Sequence, residues 1–161
     1  MPPFLAFEKI CKRFGAVVVA NEIDLALGEG EALGIIGPNG AGKSTLFGIA
    51  SGTVAPDSGR VMLAGTDITR LAPERRCRLG LGRSFQIPQP FHGMSVFENL
   101  VVAAAFGSSR RERDVYSGCV ELLDHCALAD KANRTAGKLQ PLAVEQREAA
   151  RGAVGLVASA Q

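Results

Sequence analysis

One short stretch constrains this chain more than any other: Gly37–Thr45, which reads GPNGAGKST. It matches G-x-x-x-x-G-K-[ST], the pattern of a phosphate-binding P-loop. The apolar run before it, Ala32–Ile36, predicts a short buried strand, and the residues from Thr45 onward predict a helix that ends near Gly52. A strand, a glycine-rich loop and a helix in this order form the unit in which such a loop binds phosphate. The alternative, a glycine-rich turn that fits the pattern by chance, does not account for both flanking elements.

The residue types in this loop predict its chemistry. Gly37, Gly40 and Gly42 lack a Cβ, so the backbone can curl and present successive N–H groups to an anion at the positive end of the helix. We expect Lys43 to reach the β- and γ-phosphates of a nucleotide and Ser44 to place its hydroxyl on Mg²⁺. The predicted nucleotide-binding residues are therefore Gly37, Pro38, Asn39, Gly40, Ala41, Gly42, Lys43, Ser44 and Thr45.

The composition indicates a folded domain of ordinary size. The chain has 161 residues, of which 47% are hydrophobic and 21% charged. Its net charge of +2 gives no reason to propose a nucleic-acid partner. No apolar run approaches the ~20 residues of a membrane-spanning helix, and the N-terminus has no basic flank of the kind a signal peptide carries. We therefore expect a cytoplasmic protein.

The cysteines predict no metal centre or disulfide. The chain has 4 of them, and none forms a C-x-x-C pair. We interpret them as small buried residues in a reducing compartment. A metal site built from Cys119, His125 and Cys126 is the alternative, but its spacing is poor. The cysteines are Cys11, Cys77, Cys119 and Cys126.

The order of the elements divides the chain into a β-rich region, residues 1–86, and a helical region, residues 87–161. Ser95 and Glu98 form the pattern of a capping box at the start of a helix that runs through Ala105. A second helix is predicted over Arg110–Leu128, with an apolar face made of Tyr116, Val120, Leu123 and Ala127. A third is predicted over Glu145–Ser159. In the β-rich region, the basic residues Arg70, Arg75, Arg76, Arg78 and Arg83 are interpreted as solvated.

Three further segments carry a resemblance to a known family. Phe14 lies in KRFG, Gln86 ends RSFQ, and MSVFENL spans Met94–Leu100. With the P-loop, these segments resemble the nucleotide-binding subunits of ABC transporters. The resemblance implies that Phe14 stacks on adenine and that Gln86 contacts Mg²⁺ and the attacking water. The implied catalytic residues are Lys43 and Gln86, and the implied metal ligands are Ser44 and Gln86. A core aromatic and an ordinary polar strand end are the alternatives for Phe14 and Gln86.

One branch of the family is most similar. Phe85 precedes Gln86 where many branches carry proline, as in the ATP-binding subunits of branched-chain amino-acid importers. The resemblance implies an α/β fold: a P-loop NTPase-like core with an N-terminal antiparallel β part and a helical subdomain. It also implies ATP and Mg²⁺ as ligands, and integral membrane permeases and a second ATP-binding subunit, identical or different, as partners. The protein would lie peripherally on the inner face of the plasma membrane.

Two departures from the family pattern leave enzymatic activity open. Leu139–Arg147 stands where the family has its L-S-G-G-Q signature, and it lacks the serine and both glycines. No run of four apolar residues followed by Asp-Glu, the Walker B pattern, occurs in the sequence, and the switch histidine is missing too. We expect a subunit truncated before Walker B that binds Mg-ATP and hydrolyses it poorly or not at all alone. A non-functional remnant and an ABC-type ATPase outside transport are the alternatives.

Overall fold

A computed structural model describes residues 3–85, 89–138 and 156–158. The described residues fall into two units: the first contains everything through Arg83 together with residues 156–158, and the second begins at Ser84.

The first unit is built on an antiparallel sheet of four strands in the order β2-β1-β3-β4. The long hairpin β1–β2 turns at Gly15, whose φ of 59° suits glycine. Its ladder begins with Leu5 opposite Leu27 and ends with Phe14 opposite Val17. The strands are β1 Leu5–Phe14, β2 Val17–Leu27, β3 Ser58–Leu63 and β4 Thr66–Asp67.

Helix α1, Lys43–Ser51, follows the glycine loop and contributes Ile49 and Ala50 to the core of this unit. It ends at Gly52, which has a φ of 83° and donates its N–H to the carbonyl oxygen of Ile49, so the predicted helix end is confirmed. The strand residues buried in the same core are Leu5, Phe7, Ile10, Ala20, Val61, Leu63 and Leu81. The P-loop helix is thereby fixed through its second half, which leaves its first turn at the surface.

A short helix and a pair of strands complete the unit. Helix α2 spans Pro73–Arg78, and β5, Leu81–Arg83, pairs antiparallel with β6, Leu156–Ala158. The helix predicted over Glu145–Ser159 is therefore wrong at Leu156–Ala158, where pairing with β5 overrides local helix preference. The other residues of that predicted helix lie outside the described part of the chain.

The strand predicted over Ala32–Ile36 is also wrong. These residues form no regular structure, Leu33 is 50% exposed and Ile36 is 98% exposed. None of them makes a backbone hydrogen bond to another described residue. A strand needs a neighbouring strand for its N–H and C=O groups, and no described strand lies beside this segment. An apolar run alone therefore does not produce a strand here.

The described residues of the second unit form two helices, α3 Val96–Ser108 and α4 Glu112–His125, followed by single 3₁₀ turns at Ala129–Lys131 and Ala136–Lys138. The predicted capping box is confirmed at the start of α3. Glu98 donates its N–H to Ser95 Oγ over 3.1 Å, and Glu98 Oε2 accepts the N–H of Ser95 over 2.7 Å. Helix α3 extends past the predicted end at Ala105 because nothing in the sequence stops it before Ser109, which has a φ of 55°.

The buried face of α4 is shifted by one position from the predicted face. Val115, Cys119 and Leu123 are buried, whereas Tyr116 is 42% exposed and Val120 is 50% exposed. The Tyr116 ring packs edge-on against Phe97 with centroids 5.5 Å apart. Its hydroxyl donates to the Glu112 carboxylate. Of the four residues of the predicted face, only Leu123 is buried. Tyr116 stays partly exposed, where its hydroxyl reaches Glu112.

The cysteines divide between core and surface. Cys119 is buried as predicted, but Cys77 and Cys126 are exposed, so the prediction of buried cysteines is wrong for those two. Cys77 occupies the outer side of α2, and Cys126 follows the last residue of α4. No helix in residues 3–85 or 89–138 is long and apolar enough to cross a membrane.

Candidate phosphate-binding site

The loop that joins the apolar segment to α1 has a backbone that requires glycine. Gly40 and Gly42 both have φ 84°, and Gly42 immediately precedes α1. A Cβ on Gly42 would lie 2.6 Å from Cγ1 of Val19 on β2, whereas a Cβ on Gly40 would meet nothing within 4 Å. The loop is therefore packed closely against the β1–β2 hairpin at Gly42 and open at Gly40.

The first turn of α1 offers free hydrogen-bond donors. Ala41 donates to the Pro38 carbonyl oxygen and Leu46 to that of Gly42, which closes the loop and starts the helix. The backbone N–H groups of Lys43, Ser44 and Thr45 have no acceptor among the described residues. No acidic side chain lies in this first turn to neutralise the positive end of the helix. The arrangement suits an anion.

Lys43 folds back over the loop. Its Nζ donates to the carbonyl oxygen of Gly37 over 2.5 Å and to that of Pro38 over 2.7 Å. These partners are neutral dipoles, and no salt bridge involving Lys43 is found among the described residues. An anionic phosphate oxygen would be a stronger partner than either carbonyl. The residues present therefore fit a bound phosphate chain.

Of the two predicted metal ligands, only Ser44 lies within the described residues. Ser44 is exposed, and its hydroxyl makes no hydrogen bond within the described residues, so its oxygen is available to a hard cation. Gln86 lies outside the described residues, and its contacts with Mg²⁺ and water stay predictions. The degenerate signature stretch Leu139–Arg147 lies outside them too. The described residues contain no cluster of three or more His, Cys, Asp or Glu side chains that would bind a metal.

Phe14 lies on the hairpin that contacts the loop. It is the last residue of β1, it is 51% exposed, and it stands directly opposite Val17. Val19, the residue that approaches Gly42, is two positions further along β2, a distance of about 7 Å along a strand. The ladder is irregular here, because Lys12 pairs with Ala20 and Arg13 with Val18, which leaves Val19 as the extra residue on β2. The exposed Phe14 ring and Val19, which approaches Gly42, therefore belong to the same end of the hairpin.

Sequence reasoning missed one residue of this site. Arg76 was predicted to be solvated, but it is 1% exposed. Its Nη1 donates to the carbonyl oxygens of Ile49 and Ala50 at the end of α1, while Nε and Nη2 donate to those of Leu71 and Thr69. Burial lowers the pKa of the guanidinium, against the opposing effect of the Asp67 carboxylate.

Arg76 is the C-terminal cap of the phosphate-loop helix. Nothing in the charge pattern distinguishes it from Arg75 or Arg78, which are exposed on the same helix. Arg83 is half-buried, with Nη1 3.3 Å from Thr53 Oγ1, so the solvated interpretation is wrong for it as well. The side chain of Arg70 is exposed as predicted.

Comparison with known proteins gives one family. The family model described as ABC transporter matches residues 20–156. The chain is 33% identical over 153 residues to the high-affinity branched-chain amino acid transport ATP-binding protein BraF of Pseudomonas aeruginosa, an alignment that covers 85% of this chain and 59% of BraF. It is 38% identical over 101 residues to the lipopolysaccharide export system ATP-binding protein LptB of Acidithiobacillus ferridurans, covering 63% of this chain and 42% of LptB.

A solved structure gives the same fold. The ADP conformation of MJ1267, an ATP-binding cassette of an ABC transporter, superimposes with a TM-score of 0.76 at 29% identity. The match covers 94% of this chain and 65% of MJ1267. The α/β cassette fold expected from the sequence is confirmed. The chain spans 59% of BraF and 42% of LptB, so it corresponds to about half the length of these curated relatives.

Proposed function

Because the chain belongs to the ABC transporter family as an ATP-binding protein, we propose that Gly37–Thr45 binds the triphosphate of ATP. The observation that carries this proposal is the position of the Lys43 ammonium, which lies across the loop on the carbonyl oxygens of Gly37 and Pro38. Phosphate oxygens would replace these carbonyls as charged and therefore stronger acceptors. The free N–H groups at the start of α1 then supply further donors.

The remaining ligand contacts are proposed for Ser44, Gln86 and Phe14. Ser44, whose hydroxyl is exposed, would hold Mg²⁺ together with Gln86. The cation supplies charge neutralisation between the β- and γ-phosphates when it is bound. Phe14 would stack on adenine, since its ring is half exposed beside the strand that contacts Gly42.

Equilibrium binding of Mg-ATP tests the proposal. We expect saturable binding by the wild-type chain and a loss of at least about tenfold in affinity for Lys43→Ala, because a charge-assisted contact contributes on the order of 1.5–3 kcal/mol. The matched control is Lys138→Ala, which removes an exposed lysine from the second unit and leaves affinity unchanged. Equal affinity of the wild-type and Lys43→Ala proteins would exclude the P-loop as the site.

Hydrolysis by this chain alone is a separate question. Phosphoryl transfer requires a positioned water and a held metal ion as well as a phosphate site. The sequence contains no Walker B Asp-Glu pair and no switch histidine. We therefore propose that these 161 residues bind ATP without turning it over, and that turnover needs a second ATP-binding subunit. Steady-state ATPase activity of the purified chain that disappears in Lys43→Ala would refute this.

The transported solute is proposed from the branch resemblance. Two observations favour a role in energising the import of branched-chain amino acids. Phe85 precedes Gln86, and the alignment with BraF is longer than that with LptB. Uptake of labelled leucine by a strain lacking this chain tests it: reduced uptake supports the importer. Normal leucine uptake with altered lipopolysaccharide export would favour the second candidate, a role like that named for LptB.

We propose that the second unit contacts the membrane permeases. An open pocket of about 470 Å³ lies along α3 and α4. Its lining combines apolar side chains, among them Phe97, Val101 and Phe106, with the charged Glu98, Arg110 and Glu112. Phe106 is 73% exposed. We expect Phe106→Asp to abolish co-purification with the branched-chain amino-acid permease pair of the same organism, without changing Mg-ATP affinity. Retained co-purification would exclude this surface as the permease contact.

A further inference from the structure

A lysine side chain covers part of the Phe14 ring. Lys12 Nζ lies 5.3 Å from the ring centroid, within the range of a cation–π contact. The two residues are two apart on β1, so they project to the same face of the strand. The Lys12 side chain is only 14% exposed, whereas Phe14 remains 51% exposed. The ammonium is therefore held against the ring while half of the phenylalanine stays open.

Asp57, just before β3, holds this lysine in place. Its Oδ1 accepts from Lys12 Nζ over 2.8 Å, and its Oδ2 accepts the backbone N–H of Arg13 over 2.7 Å. Asp57 also donates its own N–H to the carbonyl oxygen of Cys11 over 2.9 Å. The hydrogen bond from Lys12, followed by that from Arg13, holds the pKa of Asp57 below its ordinary value. Two contacts thus hold the carboxylate and a third holds the backbone of Asp57, and the carboxylate in turn holds the ammonium.

The carboxylate is bound to the strand that carries the ring. Its two partners, Lys12 and Arg13, immediately precede Phe14 on β1, so the hydrogen bond from Lys12 to Asp57 keeps the ammonium close to the ring. The contact between Lys12 and Phe14 is consequently supported by the Asp57 carboxylate and does not depend on the lysine side chain alone.

We propose that Lys12, held by Asp57, is a positioning residue for the nucleobase: its ammonium occupies one face of the Phe14 ring and directs the base to stack on the opposite face. The inference rests on the proposed function, since it assumes that Phe14 meets the base of a nucleotide bound at Gly37–Thr45. A cation on one side of the ring fixes the orientation of the ring and draws its π-electron density towards that side. The open side then presents a fixed, electron-poor surface to an electron-rich purine.

A purely structural role makes a different prediction. If Lys12 and Asp57 only fasten β1 to the turn before β3, their loss lowers the stability of the whole unit and weakens every ligand of the P-loop equally. If they position the base, their loss weakens ligands that have a base and spares a ligand that has none. Inorganic tripolyphosphate carries the phosphate chain without a base, so the ratio of its dissociation constant to that of ATP isolates the contribution of the base.

The experiment compares Mg-ATP and Mg-tripolyphosphate affinities by calorimetric titration in the wild type and in Lys12→Met, which keeps the length of the side chain and removes its charge. We expect ATP affinity to fall about two- to fivefold, the scale of a cation–π contact, while tripolyphosphate affinity stays constant. Lys12→Arg retains a cation and should restore the wild-type ratio. The matched control is Lys9→Met, the same change at an exposed position on the same strand.

The outcomes separate this inference from the proposed function. An unchanged ratio in Lys12→Met, with normal binding by the wild type, overturns the positioning role alone. An equal loss for both ligands, or failure of Lys12→Arg to restore the ratio, overturns it too, in favour of a structural role. If the wild type binds neither ligand, both this inference and the proposed function are wrong. Thermal midpoints of all variants, measured alongside, establish that the compared proteins are folded.

Discussion

Arg76 lies against Ile49, with its Nη1 atom 2.6 Å from the Ile49 carbonyl oxygen. This hydrogen bond joins α2 to the end of α1, the helix whose first turn is the candidate phosphate site. The last carbonyl groups of a helix have no partner within it, and a cation at this end also opposes the negative pole of the helix dipole. The buried guanidinium therefore satisfies the end of the helix that the nucleotide does not reach.

Loss of this cap should destabilise the first unit strongly. Arg76→Met removes the side-chain donor from the carbonyl oxygens of Ile49 and Ala50, of which Ile49 keeps the N–H of Gly52, and the cost is about 3 kcal/mol in the free energy of unfolding. Arg75→Met, on the exposed side of the same helix, should change it by less than about 0.5 kcal/mol. Urea denaturation of the two variants measures both values. Similar midpoints for the two would show that the buried guanidinium is not needed.

Two glycines of the phosphate loop should respond differently to alanine. Gly40 and Gly42 have the same φ of 84°, so each substitution costs about 1–2 kcal/mol of backbone strain. Only at Gly42 does the new methyl group meet Val19, which adds about 1–3 kcal/mol of overpacking. We expect Gly42→Ala to lower the thermal midpoint further than Gly40→Ala. A larger drop for Gly40→Ala would contradict the packing of the loop on β2.

The capping box of α3 predicts a pH dependence. Hydrogen bonds from the Ser95 backbone and then from its side chain lower the pKa of Glu98 from its ordinary value. A carboxyl group whose pKa is lower in the folded state stabilises the fold above its unfolded pKa, and this contribution is lost as pH falls through the folded pKa. The stability difference between the wild type and Glu98→Gln should therefore be constant near neutral pH and shrink below about pH 4.5.

The control for this prediction is Glu121→Gln, which changes an exposed glutamate on α4. Its stability relative to the wild type should show no comparable change over the same acid range. Denaturant midpoints collected from pH 3 to pH 7 provide the measurement. A difference for Glu98→Gln that stays the same across the whole range would mean that the carboxylate does not act as the cap.

Local signals predicted their parts of the fold correctly. The end of α1 at Gly52 and the start of α3 at Ser95 and Glu98 depend on residues within one helical turn of each other, and the structure confirms both. The cassette fold followed from the P-loop together with the family segments, and the comparisons confirm it. The left-handed backbone of the loop at Gly40 and Gly42 was predictable because glycine adopts that conformation without steric cost.

Features that depend on distant partners were not predictable. Ala32–Ile36 has the composition of a buried strand, but a strand exists only where another strand accepts its hydrogen bonds, and the described residues offer none. Arg76 looks like its exposed neighbours, because its burial is decided by carbonyl groups of Ile49 and Ala50 far away in sequence. The buried face of α4 is shifted by one position, to Val115 and Cys119 in place of Tyr116 and Val120, and the Tyr116 hydroxyl instead reaches Glu112 at the surface.

The thermal unfolding of the chain with and without Mg-ATP tests the central claim most directly, because a ligand that binds only the folded state must stabilise it. At a nucleotide concentration of about 100 times the dissociation constant, the stabilisation is about 2.7 kcal/mol, which moves the midpoint upward by several degrees. We predict this rise for the wild type and none for Lys43→Ala at the same nucleotide concentration. No rise in the wild type, or an equal rise in Lys43→Ala, would contradict nucleotide binding at Gly37–Thr45.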